Sequence, residues 1–252
     1  MPAGSAMTPR PSPRAAVITF FVVTAMAAGL FWTAKAVPFL QHNLQAAIAV
    51  LFFYAPVVEG RLRKDPFDFR DAGLSLHPIG RNARVFAIAV AVTFPLFIAG
   101  FFAFYGTVCD PAAHGLPTGL ARLCPVPRWA GLGGGHLHLP ANFALLAANQ
   151  VLVVALPEEV FFRGYLLQRL EATWPPTRRM FGAPVGTALL VASVLFALGH
   201  LLVDFNPQRL AVFFPGLAFG WMRARTGSLA AGTAFHASCN LLSEILHASF
   251  FG

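Results

Sequence analysis

The chain has 252 residues, of which 57% are hydrophobic and only 11% are charged, and its mean hydropathy is +0.65. A soluble domain is usually about 25% charged, so this composition excludes an ordinary water-soluble globule. The 18 lysine and arginine residues exceed the 10 acidic residues and give a formal net charge of +8. In a soluble protein this excess would suggest nucleic acid as a partner, whereas in a membrane protein it is typical of topology signals. We therefore expect a polytopic membrane protein with no nucleic-acid partner.

Long stretches without Asp, Glu, Lys or Arg recur along the chain, and most reach the roughly 20 residues that cross a bilayer as a helix. These stretches are 15–34, 36–58, 85–109, 129–157, 180–203, 210–222 and 226–243. Glycines and Pro140 are unfavourable in a helix interior, so the helix of the fourth stretch is expected to begin near Asn142. In the sixth stretch, Gly216 and Gly220 form a small-xxx-small pair suited to close helix packing. The predicted fold is an all-α transmembrane bundle of about seven spans, within a range of six to eight.

The charged segments between these stretches predict the topology. If the N-terminus is cytoplasmic, fourteen of the eighteen basic residues fall on the cytoplasmic side, as the positive-inside rule requires. The frequent use of Ala, Arg and Pro suggests a bacterial source. We therefore expect a multi-pass protein of the bacterial inner (cytoplasmic) membrane. This topology puts Cys109 and Cys124 in one outer loop, where oxidising conditions permit a disulfide, although spacing alone leaves its formation open.

Two adjacent carboxylates, Glu158 and Glu159, follow Pro157 at the end of the fourth apolar stretch. An ionisable group is costly in hydrocarbon and is therefore a functional candidate. Glu159 and Arg163 are four residues apart with the acid first, which is the favourable order for a helical ion pair. Glu158 is then left to face elsewhere. Because Pro157 removes a backbone donor, we also expect it to kink the helix just before the acids.

Two further polar pairs lie in later stretches, Phe196 with His200 and His236 with Asn240. Each pair is four residues apart and so shares one helical face. A single histidine in a membrane helix is most often just hydrogen-bonded to a neighbouring helix. Two acids, two histidines and an amide are harder to explain in that way, because one shared pocket costs less than scattered burial. Counting 1.5 Å per residue from the predicted turns gives overlapping depths, so we expect these groups to converge.

In order and spacing, these residues resemble the three motifs of the CAAX protease and bacteriocin-processing family, which are glutamic-type intramembrane proteases. The motifs are Glu158-Glu159-x-x-x-Arg163, Phe196-x-x-x-His200 and His236-x-x-x-Asn240. The resemblance covers roughly residues 151–246. It implies a division into a disordered cytoplasmic tail (1–14), N-terminal transmembrane helices and loops (15–140), and a catalytic transmembrane core (141–252).

The resemblance also implies a mechanism. Glu158 and His200 match the pair thought to activate a water that attacks the scissile peptide bond, and His236 with Asn240 match the pair thought to stabilise the oxyanion. These roles fit general chemistry, because a poorly solvated carboxylate can act as a base and an amide donates without titrating. The residues expected to support them are Glu159, Arg163 and Phe196. No metal or other cofactor is expected.

Three alternatives stay open at this point. Glu158, His200 and His236 are also the donor types of a zinc-dependent membrane hydrolase, although the chain contains no HExxH motif. A non-catalytic scaffold or regulator could bind a peptide tail in the same pocket, but a degenerate relative would be expected to lose an acid or a histidine. A transporter would use the acids as a proton relay, but no inverted repeat is visible.

The expected partners are the lipid bilayer and a protein or peptide substrate with a C-terminal tail. Some members of the family cleave after a prenylated cysteine, whereas bacterial members are implicated in bacteriocin processing or, in the myxosortase branch, in handling C-terminal sorting tails. The depth count places the pocket at mid-membrane or somewhat toward the outer face. That position favours a protease of sorting tails. The substrate, the cleavage position and the oligomeric state are left open.

Overall fold

The computed structural model describes residues 12–109, 124, 129–131 and 135–251. The helices in this part of the chain are α1 (Pro13–Ala34), α2 (Pro38–Leu62), α3 (Ile79–Val108), α4 (Phe143–Glu171), α5 (Thr187–Asp204), α6 (Phe213–Thr226) and α7 (Ala230–Phe250). A short antiparallel hairpin, β1 (Arg178–Met180) with β2 (Ala183–Val185), lies between α4 and α5. A 3₁₀ segment, Pro207–Val212, leads into α6. The prediction of an all-α bundle is confirmed.

Five of these helices, α1 to α5, are long and apolar enough to cross a membrane. The α6 helix has only 14 residues, and α7, with 21 residues, is long enough but is not among the five. Both pack within the same bundle. The chain is therefore a helical membrane protein, and the count of seven spans stays a prediction.

Local sequence explains where several helices begin and end. Pro13 and Pro38 stand at the first positions of α1 and α2, where a missing N–H costs no hydrogen bond. Asn142 adopts a left-handed conformation and α4 begins at the next residue, which confirms the predicted start. Gly227, also left-handed, ends α6.

The α4 helix departs from regular geometry around the two acids. Its segments Gln150–Ala155 and Val160–Leu167 are π-helical and enclose a single α-helical turn, Leu156–Glu159. A π turn accommodates an extra residue and is frequent at functional sites. Non-α geometry therefore flanks the paired acids on both sides, and the kink expected at Pro157 stays a prediction.

The main core lies where α4, α5, α6 and α7 meet, and it is rich in phenylalanine. Small residues bring α6 close to its neighbours. A Cβ atom on Gly216 would lie 3.2 Å from the ring of Phe196, and one on Gly220 would overlap the side chain of Leu189. The predicted role of this glycine pair in close packing is confirmed.

The two ends of the bundle differ. At what we call the basic end, the connection between α2 and α3 packs against the ends of α4 and α6. There Arg169 forms an ion pair with Asp65, and Arg223 donates hydrogen bonds to the carbonyls of Asp71 and Ala72. The hairpin lies at the same end, because the Trp221 indole near the end of α6 donates to the Met180 carbonyl.

The opposite end, which we call the disulfide end, carries the Cys109–Cys124 bond. A second aromatic cluster lies there and joins the ends of α3 and α7 through Phe101, Trp129 and Phe251. The disulfide that the sequence left open is thus formed in the structure.

Three details differ from the sequence-based expectations. Residues 180–185 belong largely to the hairpin, and the helix of the fifth stretch begins only at Thr187, because Gly182 at φ +79° and Gly186 interrupt the apolar pattern. Arg163, counted with the loop residues that set topology, is only 3% exposed and lies inside the bundle. Of the tail predicted over 1–14, residues 1–11 lie outside the described part, and α1 already begins at Pro13.

Candidate active site

A cavity of about 350 Å³ lies between α1, α2 and the helices of the C-terminal half. Its inner part is lined by Glu158, His200, His236 and Asn240. Its lining continues to Asp204 at the end of α5 and to Arg209 beyond it, so the cavity reaches toward the disulfide end. All four residues predicted to be catalytic therefore border one space, as the depth count indicated.

Glu158 faces both histidines. Its Oε2 atom lies 3.8 Å from Nε2 of His200 and 3.8 Å from Nε2 of His236. This oxygen is buried and has no hydrogen-bond partner among the described residues. Because nearly all buried polar atoms in folded proteins are hydrogen-bonded, an unpaired carboxylate oxygen that lines a cavity is a candidate for ligand or water binding.

Glu159 points the other way, into a buried ion pair. Its Oε1 accepts a hydrogen bond from Nη1 of Arg163 at 3.0 Å, and Nη2 of Arg163 donates to the Gly216 carbonyl at 3.1 Å. The two side chains are only 1% and 3% exposed. The guanidinium also lies 4.2 Å from the ring centre of Phe196, a favourable cation–π distance. The predicted ion pair is confirmed, and it links α4 to α5 and α6.

Glu159 also holds His236, which was not predicted. Nδ1 of His236 lies 3.0 Å from Oε1 of Glu159. An ionised carboxylate can only accept, so Nδ1 carries the hydrogen and Nε2 faces Glu158. The ring of Phe219 stacks on the imidazole, with 4.6 Å between centroids. His236 is thus fixed in orientation by one carboxylate and one aromatic ring.

A backbone carbonyl orients His200 in the same manner. Its Nδ1 lies 2.9 Å from the carbonyl oxygen of Phe196, so Nδ1 is the donor and Nε2 faces Glu158. The Phe196 ring packs on the imidazole, with 4.5 Å between centroids. Phe196 therefore contacts both His200 and Arg163, which accords with the supporting role expected for it.

Three proton acceptors consequently face one another, namely Oε2 of Glu158 and Nε2 of each histidine. Two carboxylates and one guanidinium also leave the cluster with one uncompensated negative charge. In a medium of low dielectric such a charge is costly. Both features favour a hydrogen-bond donor, such as a water molecule, between Glu158 and the imidazoles. The arrangement is therefore suited to taking protons from a bound water.

Asn240 has a partner that was not predicted from the sequence. Its Nδ2 donates to Oε1 of Gln150 at 2.9 Å, and Gln150 is only 7% exposed. Next to it, Nδ2 of Asn149 donates to Oε1 of Gln45 at 2.6 Å, and Gln45 lines the cavity. Asn149 and Gln150 are consecutive amide residues inside an apolar stretch, and this pattern could have indicated from the sequence that they have polar partners.

Metal binding has no further support in the geometry. Within the described ranges, no group of three or more His, Cys, Asp and Glu side chains is arranged to hold a metal ion. The zinc alternative and the expectation of no cofactor both stay predictions.

A carboxylate, two oriented imidazoles and an amide around a cavity in a helical membrane bundle are the groups of an intramembrane hydrolase. Residues 140–242, from just before α4 into α7, match the family described as type II CAAX prenyl endopeptidase Rce1-like. The matched region contains all three motifs and amounts to less than half of the chain. No curated protein and no solved structure matches the chain. This match confirms the resemblance and supports an intramembrane protease activity of the CAAX type.

Proposed function

We propose that the protein is a glutamic-type intramembrane endopeptidase that hydrolyses a peptide bond near the C-terminal or membrane-embedded tail of a protein substrate. One observation carries this proposal. The buried and unpaired Oε2 of Glu158 lies 3.8 Å from the Nε2 atoms of two oriented histidines, at the wall of a cavity of about 350 Å³. Ligand sites in proteins commonly begin at about this volume, so a short extended segment of a substrate could enter.

In the proposed reaction, Glu158 and His200 together activate one water. Two acceptors 3.8 Å apart can each receive a hydrogen bond from the same water at ordinary distances. As the water oxygen bonds to the carbonyl carbon, one of its protons passes to this pair. The pair then gives the proton to the leaving amine as the C–N bond breaks. The products are a carboxylic acid and an amine.

Asn240 and His236 would stabilise the negative oxygen of the tetrahedral intermediate. The Asn240 amide has two N–H groups, and the bond to Gln150 uses one of them. The Nδ1–H of His236 is directed to Glu159, so Nε2 can donate to the oxyanion only in the protonated imidazolium. Arg163 already compensates Glu159, so the charge of Glu158 would balance that imidazolium, and Glu159 would hold the ring in position. We therefore assign Glu159 a positioning role toward His236 in addition to its ion pair.

We further propose that the N-terminus is cytoplasmic and that the membrane is the bacterial inner membrane. The arginines near the hairpin and the α2–α3 connection support this orientation through the positive-inside rule. The Cys109–Cys124 bond at the opposite end fits an oxidising compartment outside. The cavity reaches toward that end, so a substrate tail would enter from the outer side. That favours C-terminal sorting tails, as in the myxosortase branch, over cytoplasmic prenylated tails.

The activity is tested by comparing protein C-termini in membranes of cells that contain the wild-type protein or the Glu158→Gln variant. We expect a small set of proteins to carry shortened C-termini only with the wild type. In water enriched in ¹⁸O, the new carboxyl group should carry the label. If the C-termini are identical in both strains and a protein with a C-terminal tail still co-purifies with the wild type, a scaffold that binds tails would be supported instead.

Chelation tests the zinc alternative. A glutamic-type enzyme keeps its cleavage activity after exhaustive treatment with a chelator. If chelation abolished cleavage and added zinc restored it, the zinc-dependent hydrolase would be favoured. The orientation is tested by a phosphatase reporter fused after Arg178, which should be inactive, because that enzyme needs an oxidising compartment to form its disulfides.

A further inference from the structure

A second concave surface lies outside the active-site cavity, along the membrane-facing side of α3, α5 and α6. This groove has a volume of about 1440 Å³ and shares no lining residue with the active-site cavity. Its lower walls are apolar and include Ile88, Val92, Leu190 and Leu217. Its mouth, at the basic end, carries four arginines, Arg81, Arg84, Arg178 and Arg225.

Among the described residues, no acidic group compensates the charge of the arginines at the mouth. No acidic side chain lines the described part of the groove, and none of the four arginines forms an ion pair with a described residue. Other arginines at the same end are paired, as Arg63 is with Glu59 and Arg169 is with Asp65. Four like charges around one opening repel one another, so the mouth is complementary to an anion.

The hairpin contributes to this mouth and is held in place. The Trp221 indole donates a hydrogen bond of 2.9 Å to the Met180 carbonyl, which ties β1 to α6. The guanidinium of Arg225 lies beside Gly182 in the hairpin turn, where a Cβ would come within 3.1 Å of its Nε. Arg178 and Arg225 are therefore held on the same side of the opening.

The apolar part has the length of one lipid leaflet. From Arg81 to Thr93 the groove follows α3 for twelve residues, or about 18 Å at 1.5 Å per residue. Half of a bilayer's hydrocarbon core is about 15 Å thick. The wall residues are exposed, with Ile88 57%, Val92 56% and Leu190 52% exposed. A basic mouth above an apolar channel of this length matches a phosphate head group above an acyl chain.

We propose that this groove binds one anionic phospholipid from the leaflet at the basic end. The phosphate would lie among Arg81, Arg84 and Arg178, and one acyl chain would fill the channel between α3 and the α5–α6 pair. Basic pockets between membrane helices commonly bind such head groups. The bound lipid would join α3 to the C-terminal core, and, because it binds the folded state, it would also stabilise the fold.

Native mass spectrometry of the detergent-purified full chain tests the proposal, with dioleoyl phosphatidylglycerol and dioleoyl phosphatidylcholine as probes. We expect one phosphatidylglycerol to be retained at least about tenfold more strongly than phosphatidylcholine. The double variant Arg81→Gln/Arg84→Gln should lose most of this preference, and Arg178→Gln should lose part of it. Equal retention of the two lipids by the wild type would overturn the proposal.

Matched controls come from the same end of the molecule. Arg179 follows Arg178 in β1 and is also exposed but does not line the groove, so Arg179→Gln should retain phosphatidylglycerol like the wild type. Arg178→Gln alters only an exposed side chain, and this keeps the test valid even if the double variant misfolds. An equal loss in Arg178→Gln and Arg179→Gln would show a general charge effect and overturn the site.

A competitor separates the lipid from other phosphates. Soluble glycerophosphoglycerol has the head group without chains and should not displace the bound lipid at equal concentration. Displacement by this compound would show a site for soluble phosphate esters and would overturn the commitment to a lipid. A co-purified protein that excludes phosphatidylglycerol from the groove would do the same.

Discussion

The polar cluster has two regions that differ in how their charges are compensated. In the inner region, Glu159 is 1% exposed and its charge is met by Arg163 and by Nδ1 of His236. In the cavity-facing region, Oε2 of Glu158 has no partner among the described residues and faces two basic imidazole nitrogens. Oε2 of Glu159 also has no hydrogen-bond partner among the described residues, so the two adjacent acids differ in the groups that meet their charge.

The difference shows how the chain selects between the two acids. Arg163, four residues after Glu159, neutralises that acid and leaves the charge of Glu158 directed to the cavity. The inner region fixes the helices and His236, whereas the cavity-facing region keeps its polar groups available. If this division is correct, changes in the inner region reduce stability first, and changes in the cavity-facing region reduce cleavage and spare stability.

The largest effect is expected from Glu158→Gln. The amide keeps the shape of the side chain but cannot accept a proton from water, so cleavage should fall by roughly 10³- to 10⁴-fold. The free energy of unfolding should stay within about 0.5 kcal/mol of the wild type, because Oε2 forms no hydrogen bond within the described residues. Cleavage of a tailed substrate and thermal unfolding in detergent measure the two quantities.

A matched control for this variant is Glu244→Gln. Glu244 is an exposed carboxylate on α7 and does not line the cavity. The Glu244→Gln variant should cleave at the wild-type rate. If Glu158→Gln kept full activity, the proposed reaction would be wrong.

The next largest effect is expected on stability, from a change in the inner region. Arg163→Met removes the guanidinium and leaves the Glu159 carboxylate buried without its main counter-charge, which should destabilise the protein by about 3–5 kcal/mol. The Gly216 carbonyl also loses its donor. Thermal or denaturant unfolding in detergent measures the loss.

Arg169→Met is the matched comparison on the same helix. Arg169 pairs with Asp65 in a more exposed place, where an ion pair contributes about 1 kcal/mol or less. If both arginine variants lost the same stability, the distinction between a buried and an exposed pair would fail.

A smaller effect is expected from Asn240→Ala on the cavity side. Removal of one oxyanion donor costs about 10²- to 10³-fold in kcat, and KM should change little because the interaction forms in the transition state. Asn43→Ala is the control, since Asn43 bonds only to the Phe39 carbonyl on the exposed face of α2. A change confined to KM would assign Asn240 to substrate binding instead.

The sequence predicted much of this arrangement for physical reasons that can be named. Charges are expensive in hydrocarbon, so Glu158, Glu159 and Arg163 stood out in an apolar chain, and i to i+4 spacing identified the ion pair. The start of α4 near Asn142 followed from its glycines and proline. Helix lengths allowed the acids and both histidines to lie at overlapping depths, and the cost of scattered burial favoured one shared pocket.

Other features depended on contacts that no local pattern encodes. The bond from His236 to Glu159 joins residues 77 positions apart, and that from Asn240 to Gln150 spans 90 positions. The hairpin before α5 was hidden because a short apolar run reads equally well as a helix or a strand.

The smallest effect tests the border between the two regions. Gln150 does not line the cavity, yet it accepts the amide of Asn240, so we expect it to position that donor. Gln150→Leu should lower kcat by about tenfold with little change in KM, because the donor is misplaced in the transition state. Gln150→Asn retains a neutral amide acceptor and should recover part of the rate. Gln168→Leu, on the same helix near the basic end, should behave like the wild type. If the variant without an acceptor and the variant with one lost the same activity, Gln150 would contribute only packing. The cavity-facing region would then end at Asn240.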